Sequence, residues 1–504
     1  MGHLETWKEI RAFVGDTAKL EATVALLEWD DRTYLPSRGG AYRAEQTTLL
    51  SGMIHRRLTD PWLGEKLQEL SAGELMSDPH SSTAASIRML LKDFRRNSRL
   101  PVELVEATTK ATVLGQQAWE AARAANSWSD FEPHMATIFS LKRQEAELLR
   151  DAGTLYDALL DQYEDGANSQ SLTAVFAGLR DALVQLVKDL NESSHKPNGQ
   201  SWRRSVPIEL QRQTSRWVAE RIGYEFERGR LDETSHPFCT TLGPDDCRIL
   251  TRFQTDYFPS GFYGTLHEAG HGMYEQGLPV DWYGLPAGAA ASLGVHESQS
   301  RMWENFVGRS REFWQWCLPE LQTQLAGAWS DLTAEQVFRD ANRVQPSLIR
   351  VEADEVTYNL HILIRFEIEQ ELIAGDLKVA DAPQAWNERY QQYLGIRPQT
   401  YAEGVLQDIH WSAGLIGYFP TYTLGNLYAA QLMEAARLKL PELGRDFAVG
   451  DFQPLLAWLR QEIHGFGQCF HPGQLIQKAC GKPLDAQPLV NYLRQKLEPV
   501  YGIA

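Results

Sequence analysis

The sequence predicts a mainly α-helical fold, built from long helices with one small sheet of two or three strands. Apolar residues recur at three- and four-residue spacing over most of the chain, as in residues 49–58, and this periodicity is typical of amphipathic helices. Residues 224–253 instead combine aromatic and β-branched residues around a Gly-Pro-Asp turn at 243–245, which favours short strands. Apolar residues make up 43% of the chain, enough for a sizeable buried core.

The order of these segments predicts one domain over residues 1–504. Helical periodicity extends to about residue 225, and it resumes after the strands from about residue 261. Residues 1–225 are expected to form a helical wall, and residues 226–504 the small sheet and a second helical part. Breaks in the last helical stretch are predicted near Gly284 to Gly288, Gly375, Gly395 to Pro398 and Gly444.

Charge and hydropathy argue against two classes of partner, nucleic acids and membranes. The chain has 66 acidic and 49 basic residues, a formal net charge of -17. Because nucleic-acid binding depends on clustered Lys and Arg, we expect no nucleic-acid partner. No stretch provides the roughly 18 unbroken apolar residues of a membrane span, and the N-terminal residues lack the apolar region of a secretion signal. We therefore expect no membrane association.

The five cysteines form no C-x-x-C pair and leave an odd count, which indicates reduced thiols and a cytoplasmic location. Cys239 and Cys247 both lie in the strand segment, where a pairing is geometrically conceivable. Buried free thiols are the expected state for both.

An H-E-x-x-H motif lies at His267, Glu268 and His271 in a helix-compatible stretch. Histidines four residues apart lie on adjacent turns of one helical face, about 6 Å apart along the axis, so both imidazoles can bind one cation. Glu268 flanks this face and is placed to take a proton from an activated water. Gly270 weakens the helix by about 1 kcal/mol relative to Ala, a cost that suggests a close backbone approach.

A catalytic zinc site needs a third protein ligand. Glu275 lies eight residues after His267, about 12 Å along the same helix, which is too far. The metzincin continuation is also excluded, because its glycine and third histidine are absent at positions 274 and 277. A second helix must therefore supply the ligand, and residues 293–307 offer His296, Glu297 and Glu304, among which geometry alone does not decide.

Six short motifs follow one another along the chain: His236-Pro-Phe238, Asp246-Cys-Arg248, His267-Glu-Ala-Gly-His271, His296-Glu-Ser-Gln299, Ile349-Arg-Val-Glu-Ala-Asp354 and Gly404-Val-Leu-Gln-Asp-Ile-His-Trp411. In this order they resemble the carboxypeptidase Taq type of metallocarboxypeptidase, peptidase family M32. One position departs from that family, because Leu250 stands where its D-x-R-x-T motif has Thr. The departure leaves the metal motif intact.

The resemblance implies long helices enclosing a deep groove, with the small sheet next to the active site, in a homodimer. It implies Zn²⁺ as the cofactor, with Co²⁺ as a possible substitute, and Glu297 as the third metal ligand. The implied substrates are peptides with a free C-terminus, cleaved with broad specificity. Arg350 is implied as the cation for the terminal carboxylate, with Arg248 and His236 as further groove-lining residues.

The expected chemistry is hydrolysis by a water that Glu268 deprotonates before passing the proton to the leaving amine. His410 and Tyr422 are the candidate donors to the developing oxyanion. Either residue could instead be ordinary packing. Arg350 could instead form a structural ion pair, and its nearest acidic neighbours in sequence are Glu352, Asp354 and Glu355.

Two other functions compete with a carboxypeptidase. A zinc oligopeptidase or dipeptidyl carboxypeptidase of related helical fold would share the H-E-x-x-H motif and a distant Glu, but it would not need a free C-terminus one residue from the cut. A non-catalytic helical scaffold with a zinc site would have no need for Glu268, which is present here. The carboxypeptidase is the preferred interpretation.

Overall fold

The computed structural model describes residues 2–325 and 327–503. Its first helices are α1 His3–Asp31, α2 Gly40–Leu58, α3 Pro61–Ser71, α4 Ser82–Arg99, α5 Val102–Ala125, α6 Trp128–Leu149, α7 Leu155–Leu160, α8 Ser169–Glu192 and α9 Ile208–Ile222. The strands are β1 Gly229–Glu233, β2 Phe238–Gly243 and β3 Asp246–Thr251. The later helices are α10 Phe258–Glu275, α11 Leu293–Arg301, α12 Arg311–Gln324, α13 Ala334–Ala341, α14 Thr357–Ala374, α15 Ala382–Leu394, α16 Pro420–Lys439, α17 Leu443–Ala448, α18 Gln453–Glu462, α19 Pro472–Cys480 and α20 Gln487–Tyr501.

This order confirms the predicted fold class, mainly helical with one small sheet between helical stretches. The turn at 243–245 separates β2 from β3. Gly375 and Gly395 end α14 and α15 with φ of 88° and 70°, a left-handed conformation that favours glycine. The break predicted near Gly444 falls at residues 440–442, between α16 and α17.

The three strands form one sheet in the order β1-β3-β2. β3 is the central strand, parallel to β1 and antiparallel to β2. Its residues Ile249 and Leu250 are fully buried, so the side chain that replaces the family's threonine is part of the core. The sheet packs against α10 through β3 and β2.

The chain divides into two compact units. Unit 1 contains Met1–Ser98, Gly199–Ala341 and Ala429–Pro483, and unit 2 contains Arg99–Asn198, Asn342–Tyr428 and Leu484–Ala504. Both units draw on segments far apart in sequence. The single domain expected over residues 1–504 stays a prediction.

Helix α8 illustrates how unit 2 is built. Asn168 caps its N-terminus by accepting a hydrogen bond from the Ser171 backbone N–H, which satisfies one of the free donors there. One face of α8 is buried against α14 and α20. That face contains Leu172, Phe176, Leu179, Leu183, Leu186 and Leu190. Among the described helices, none combines the length and the apolarity needed to cross a bilayer.

Candidate metal centre

Helix α10 carries the H-E-x-x-H motif in unit 1. Pro259 lies in its first turn, where its missing N–H removes no helical hydrogen bond. The helix packs against β3, α9 and α11, and most of its residues are buried. This packing fixes the helical face that carries His267 and His271, whose ring centroids are 4.9 Å apart.

Helix α11 lies unusually close to α10. A Cβ placed on Gly270 would be 2.6 Å from the Gln299 carbonyl oxygen and 2.7 Å from Ser300 Cα, closer than real side chains allow. Only glycine therefore permits this approach, as its cost to the helix suggested. Ser292 caps α11 by accepting from the Val295 backbone N–H, which sets where the helix begins.

This approach brings Glu297 of α11 next to both histidines. Its Oε2 lies 3.5 Å from His271 Nε2 and 3.7 Å from His267 Nε2. Two ligand atoms each about 2.1 Å from one ion at a tetrahedral angle lie about 3.4 Å apart. The two nitrogens and the oxygen therefore fit a shared ion. Among the residues that the structure describes, His267, His271 and Glu297 are the set of potential ligands whose donor atoms lie close enough together to hold one metal ion.

The other two candidates of residues 293–307 lie elsewhere around the trio. Glu304 Oε2 is 2.9 Å from His267 Nδ1, on the side of the ring away from Glu297. His296 Nε2 is 3.0 Å from Glu275 Oε1, and its ring stacks on His271 with centroids 4.3 Å apart. Neither side chain belongs to the trio, and Glu275 remains outside it, as its position along α10 requires.

Hydrogen bonds at Nδ1 orient both imidazoles. His271 Nδ1 lies 3.0 Å from the His296 carbonyl oxygen, which can only accept, so Nδ1 carries the proton and Nε2 faces Glu297 without one. Burial lowers the pKa of His271 to about 3, with a further contribution from His296, and this keeps the ring neutral. A neutral imidazole with a free Nε2 is the form that binds a metal ion.

Two arginines compensate the acidic side chains around the trio. Burial works to raise the pKa of Glu297, but Arg301 and the two imidazoles hold it well below its usual range. Glu304 behaves in the same way beside Arg301 and Arg309. Burial also works to lower the pKa of His267, but Glu297 and Glu304 outweigh it and raise that pKa. Both carboxylates are therefore ionised in the absence of a metal ion.

Glu268 lies next to this group in a protected position. Glu268 is buried, with only 5% of its surface exposed. Burial raises its pKa to about 7, with Glu297 adding to the shift and the imidazoles of His267 and His296 opposing it. A carboxyl group with a pKa near neutrality can both accept and donate a proton at working pH.

Arg350 lies in unit 2, where it is 6% exposed. Its Nε and Nη2 donate to Asp408 Oδ1 at 3.1 and 2.8 Å, and its Nη1 donates to the Tyr358 hydroxyl at 3.1 Å. Arg365 donates to the other oxygen of Asp408 at 2.7 Å. Two guanidinium groups thus share the one carboxylate of Asp408 in a buried place.

Arg350 pairs with Asp408 and not with the acidic residues closest to it in sequence. Asp354 accepts hydrogen bonds from backbone N–H groups at the start of α14, and Glu355 pairs with Lys496. Both carboxylates are therefore engaged elsewhere. The observed partner, Asp408, is 58 residues away in sequence, which no local pattern reveals.

His410 and Tyr422 lie together in unit 2. His410 Nε2 is 3.4 Å from the Tyr422 hydroxyl, and its Nδ1 is 4.0 Å from Asp408 Oδ1, beyond hydrogen-bond distance. Burial lowers the pKa of His410 to about 3, although the Asp408 carboxylate opposes the shift. The Arg350 guanidinium lies 5.2 Å from the centroid of the Tyr422 ring. All three predicted residues of unit 2 thus belong to one cluster.

The remaining predicted residues lie on the sheet of unit 1. Arg248 of β3 donates to both oxygens of Asp246 at 2.8 Å and lies over the Trp29 ring at 4.2 Å, so its guanidinium already has structural partners. His236 is exposed between β1 and β2. Cys239 and Cys247 are free thiols, as expected, with sulfur atoms 3.6 Å apart. Cys247 is buried as predicted, whereas Cys239 is only partly buried.

A helical protein in which two histidines one turn apart face a buried carboxylate, with a second carboxylate beside them, has the site of a metallopeptidase. A family model described as carboxypeptidase Taq (M32) metallopeptidase matches residues 9–497, and the chain belongs to this family. It is therefore a metallocarboxypeptidase, a hydrolase that acts on peptides.

Named relatives agree with this family over nearly the whole chain. Thermostable carboxypeptidase 1 of Thermus thermophilus is 43% identical, covering 98% of this chain and 99% of the relative. Carboxypeptidase 1 of Bacillus subtilis is 38% identical, covering 95% of each. The crystal structure of the M32 carboxypeptidase from Deinococcus radiodurans R1 has a TM-score of 0.96 at 38% identity, covering 99% of this chain and 100% of that one.

Proposed function

We propose that this protein is a zinc-dependent carboxypeptidase that hydrolyses the C-terminal peptide bond of peptides with broad specificity. The observation that carries the proposal is the trio of His267, His271 and Glu297, with Glu268 one residue from the first histidine. Two imidazoles, which bind a metal ion in their neutral form, and one carboxylate oxygen are the donor set that catalytic zinc sites use. Co²⁺ could replace Zn²⁺ on the same donors.

When bound, the ion lowers the pKa of a coordinated water and polarises the substrate carbonyl. Glu268 accepts the proton of the attacking water and then donates it to the leaving amine nitrogen. Its protected position and raised pKa support this role, because the same group must work first as a base and then as an acid. Glu304 and the His296 carbonyl keep the two imidazoles oriented through their Nδ1 atoms.

Arg350 is the proposed cation for the terminal carboxylate of the substrate. The sharing of one carboxylate between the Arg350 and Arg365 guanidinium groups supports this role, since the carboxylate of a substrate could complete the pairing. Tyr422 and His410 are the proposed donors to the oxyanion, and their mutual contact keeps both polar groups close to Arg350. Arg248 and His236 remain proposed groove-lining residues. The homodimer and the cytoplasmic location are also proposals, taken from the resemblance and from the free thiols.

The test uses one peptide in two forms, with a free C-terminal acid and with a C-terminal amide, each incubated with and without a chelator. Mass spectrometry should detect stepwise loss of single residues from the free acid alone, abolished by the chelator and restored by Zn²⁺. Equal cleavage of both forms, or release of dipeptides, would favour the oligopeptidase or dipeptidyl carboxypeptidase instead. Cleavage unaffected by the chelator would contradict the metal role.

A further inference from the structure

Arg301 lies one helical turn after Glu297, at the end of α11, and contacts the proposed ligand directly. Its Nε donates to Glu297 Oε1 at 2.7 Å, and its Nη1 donates to Glu304 Oε2 at 3.2 Å. The side chain is 13% exposed, so these charge-assisted hydrogen bonds are shielded from water. Nothing in the proposed reaction yet requires this arginine.

The two oxygens of Glu297 have different surroundings. Oε1 is the atom that Arg301 holds. Oε2 faces the Nε2 atoms of His271 and His267 at 3.5 and 3.7 Å, and it also accepts a hydrogen bond from the Ser300 hydroxyl at 3.2 Å. A carboxylate can bind a metal ion through one oxygen or through both. In this structure both imidazole contacts are to Oε2, whereas the Arg301 contact is to Oε1.

We infer that Arg301 is a positioning residue that keeps Glu297 a one-oxygen ligand of the ion, an inference that rests on the ligand role proposed above. The guanidinium holds Oε1 away from the ion by a strong hydrogen bond. Two imidazoles and one oxygen would then hold the ion and would leave room at it for water and substrate, as catalysis requires. Without Arg301, Oε1 is free to approach the ion and to occupy a position that the water needs.

The experiment compares Arg301→Met, which removes every donor, with Arg301→Lys, which keeps the charge and can still reach Oε1. The matched control is Arg309→Met. Arg309 belongs to the same cluster, and its Nη2 donates to Glu304 Oε1 at 3.1 Å. Each purified full-length variant is loaded with Co²⁺ for visible absorption and with Zn²⁺ for X-ray absorption, both of which report the number of donors. Metal affinity is measured by competition with a chelator.

Arg301→Met is expected to gain one oxygen donor and to keep wild-type or tighter metal affinity, while kcat falls at least about tenfold. Arg301→Lys and Arg309→Met should keep the wild-type donor number. A purely structural role would instead weaken metal binding without adding a donor. An unchanged donor number in folded Arg301→Met overturns the inference.

If Arg301→Met does not fold, a crystal structure of the zinc-loaded wild-type protein tests the inference by showing whether one or both oxygens of Glu297 bind the ion. Oε1 on Arg301 with only Oε2 at bonding distance supports the inference, and both oxygens at bonding distance overturn it. That second result would leave Glu297 a ligand and the proposed function intact. Zinc bound without Glu297 would instead refute the ligand role itself.

Discussion

Replacing Gly270 by alanine tests whether the close approach of α10 and α11 creates the metal centre. The added methyl group would lie 2.6 Å from the Gln299 carbonyl oxygen, whereas ordinary van der Waals contact begins at 3.4 Å. Relief therefore requires a displacement of about 0.8 Å, and the obstacle is backbone, which cannot rotate away. Overpacking of this kind costs about 1–3 kcal/mol of unfolding free energy. Because Glu297 lies on α11, the displacement acts directly on the proposed ligand.

The expected effect on metal binding is larger than the effect on stability. Metal–ligand distances tolerate only about 0.2 Å of error, so a displacement of about 0.8 Å cannot be absorbed by the donors alone. We expect zinc affinity to fall at least about tenfold. The assay is titration of the metal-free variant against a chromophoric chelator, together with urea unfolding of the same sample.

Gly178→Ala is the matched control, because Gly178 lies within α8 and an added Cβ there has no atom within 4 Å. Alanine in that helix should raise the unfolding free energy by about 1 kcal/mol without changing metal affinity. If Gly270→Ala binds zinc as tightly as the wild-type protein, the two helices can separate without loss of the site. The geometric explanation of Gly270 would then be wrong.

Three further predictions concern single side chains. Glu268→Gln should retain one zinc ion by elemental analysis and lose activity by at least about a hundredfold, and an active variant would refute its proton-transfer role. Arg350→Ala should remain folded by circular dichroism, because Arg365 still pairs with Asp408, and should lose cleavage of free-acid peptides. An unfolded Arg350→Ala would favour a structural role. Burial, aided by Arg460, lowers the pKa of His464 to about 3, so its contribution to stability is present above pH 6.5 and lost at about 1.4 kcal/mol per pH unit down to pH 3. His464→Gln should therefore flatten the acid side of the stability curve measured by urea unfolding.

Residue spacing is sufficient to predict those structural features that depend only on short stretches of chain. Helical periodicity predicted the helices on both sides of the sheet, and the turn at 243–245 predicted the boundary between β2 and β3. The parallel pairing of β1 with β3 was not predictable, because periodicity contains no information about which strands become neighbours. Sequence spacing also could not choose among His296, Glu297 and Glu304.

The π-helical turn Met302–Val307 shows why the choice among these three residues depends on the tertiary structure. It follows α11 directly and changes the angular spacing of side chains, so the face on which Glu304 lies cannot be calculated from 3.6 residues per turn. Glu304 consequently contacts Nδ1 of His267 and not the Nε2 side. The contact between Arg301 and Glu297, by contrast, could be predicted from the sequence, because residues four apart on a regular helix can form an ion pair.

By itself the sequence determined the helical class, the placement of two histidines on one helical face and the carboxylate of Glu268 beside them. These features follow from the chain's local periodicity, which is fixed by backbone geometry. The tertiary structure alone decided which carboxylate faces both imidazoles and which acid pairs with Arg350. Both depend on the packing of segments distant in sequence: α11 against Gly270 of α10, and Asp408 between Arg350 and Arg365.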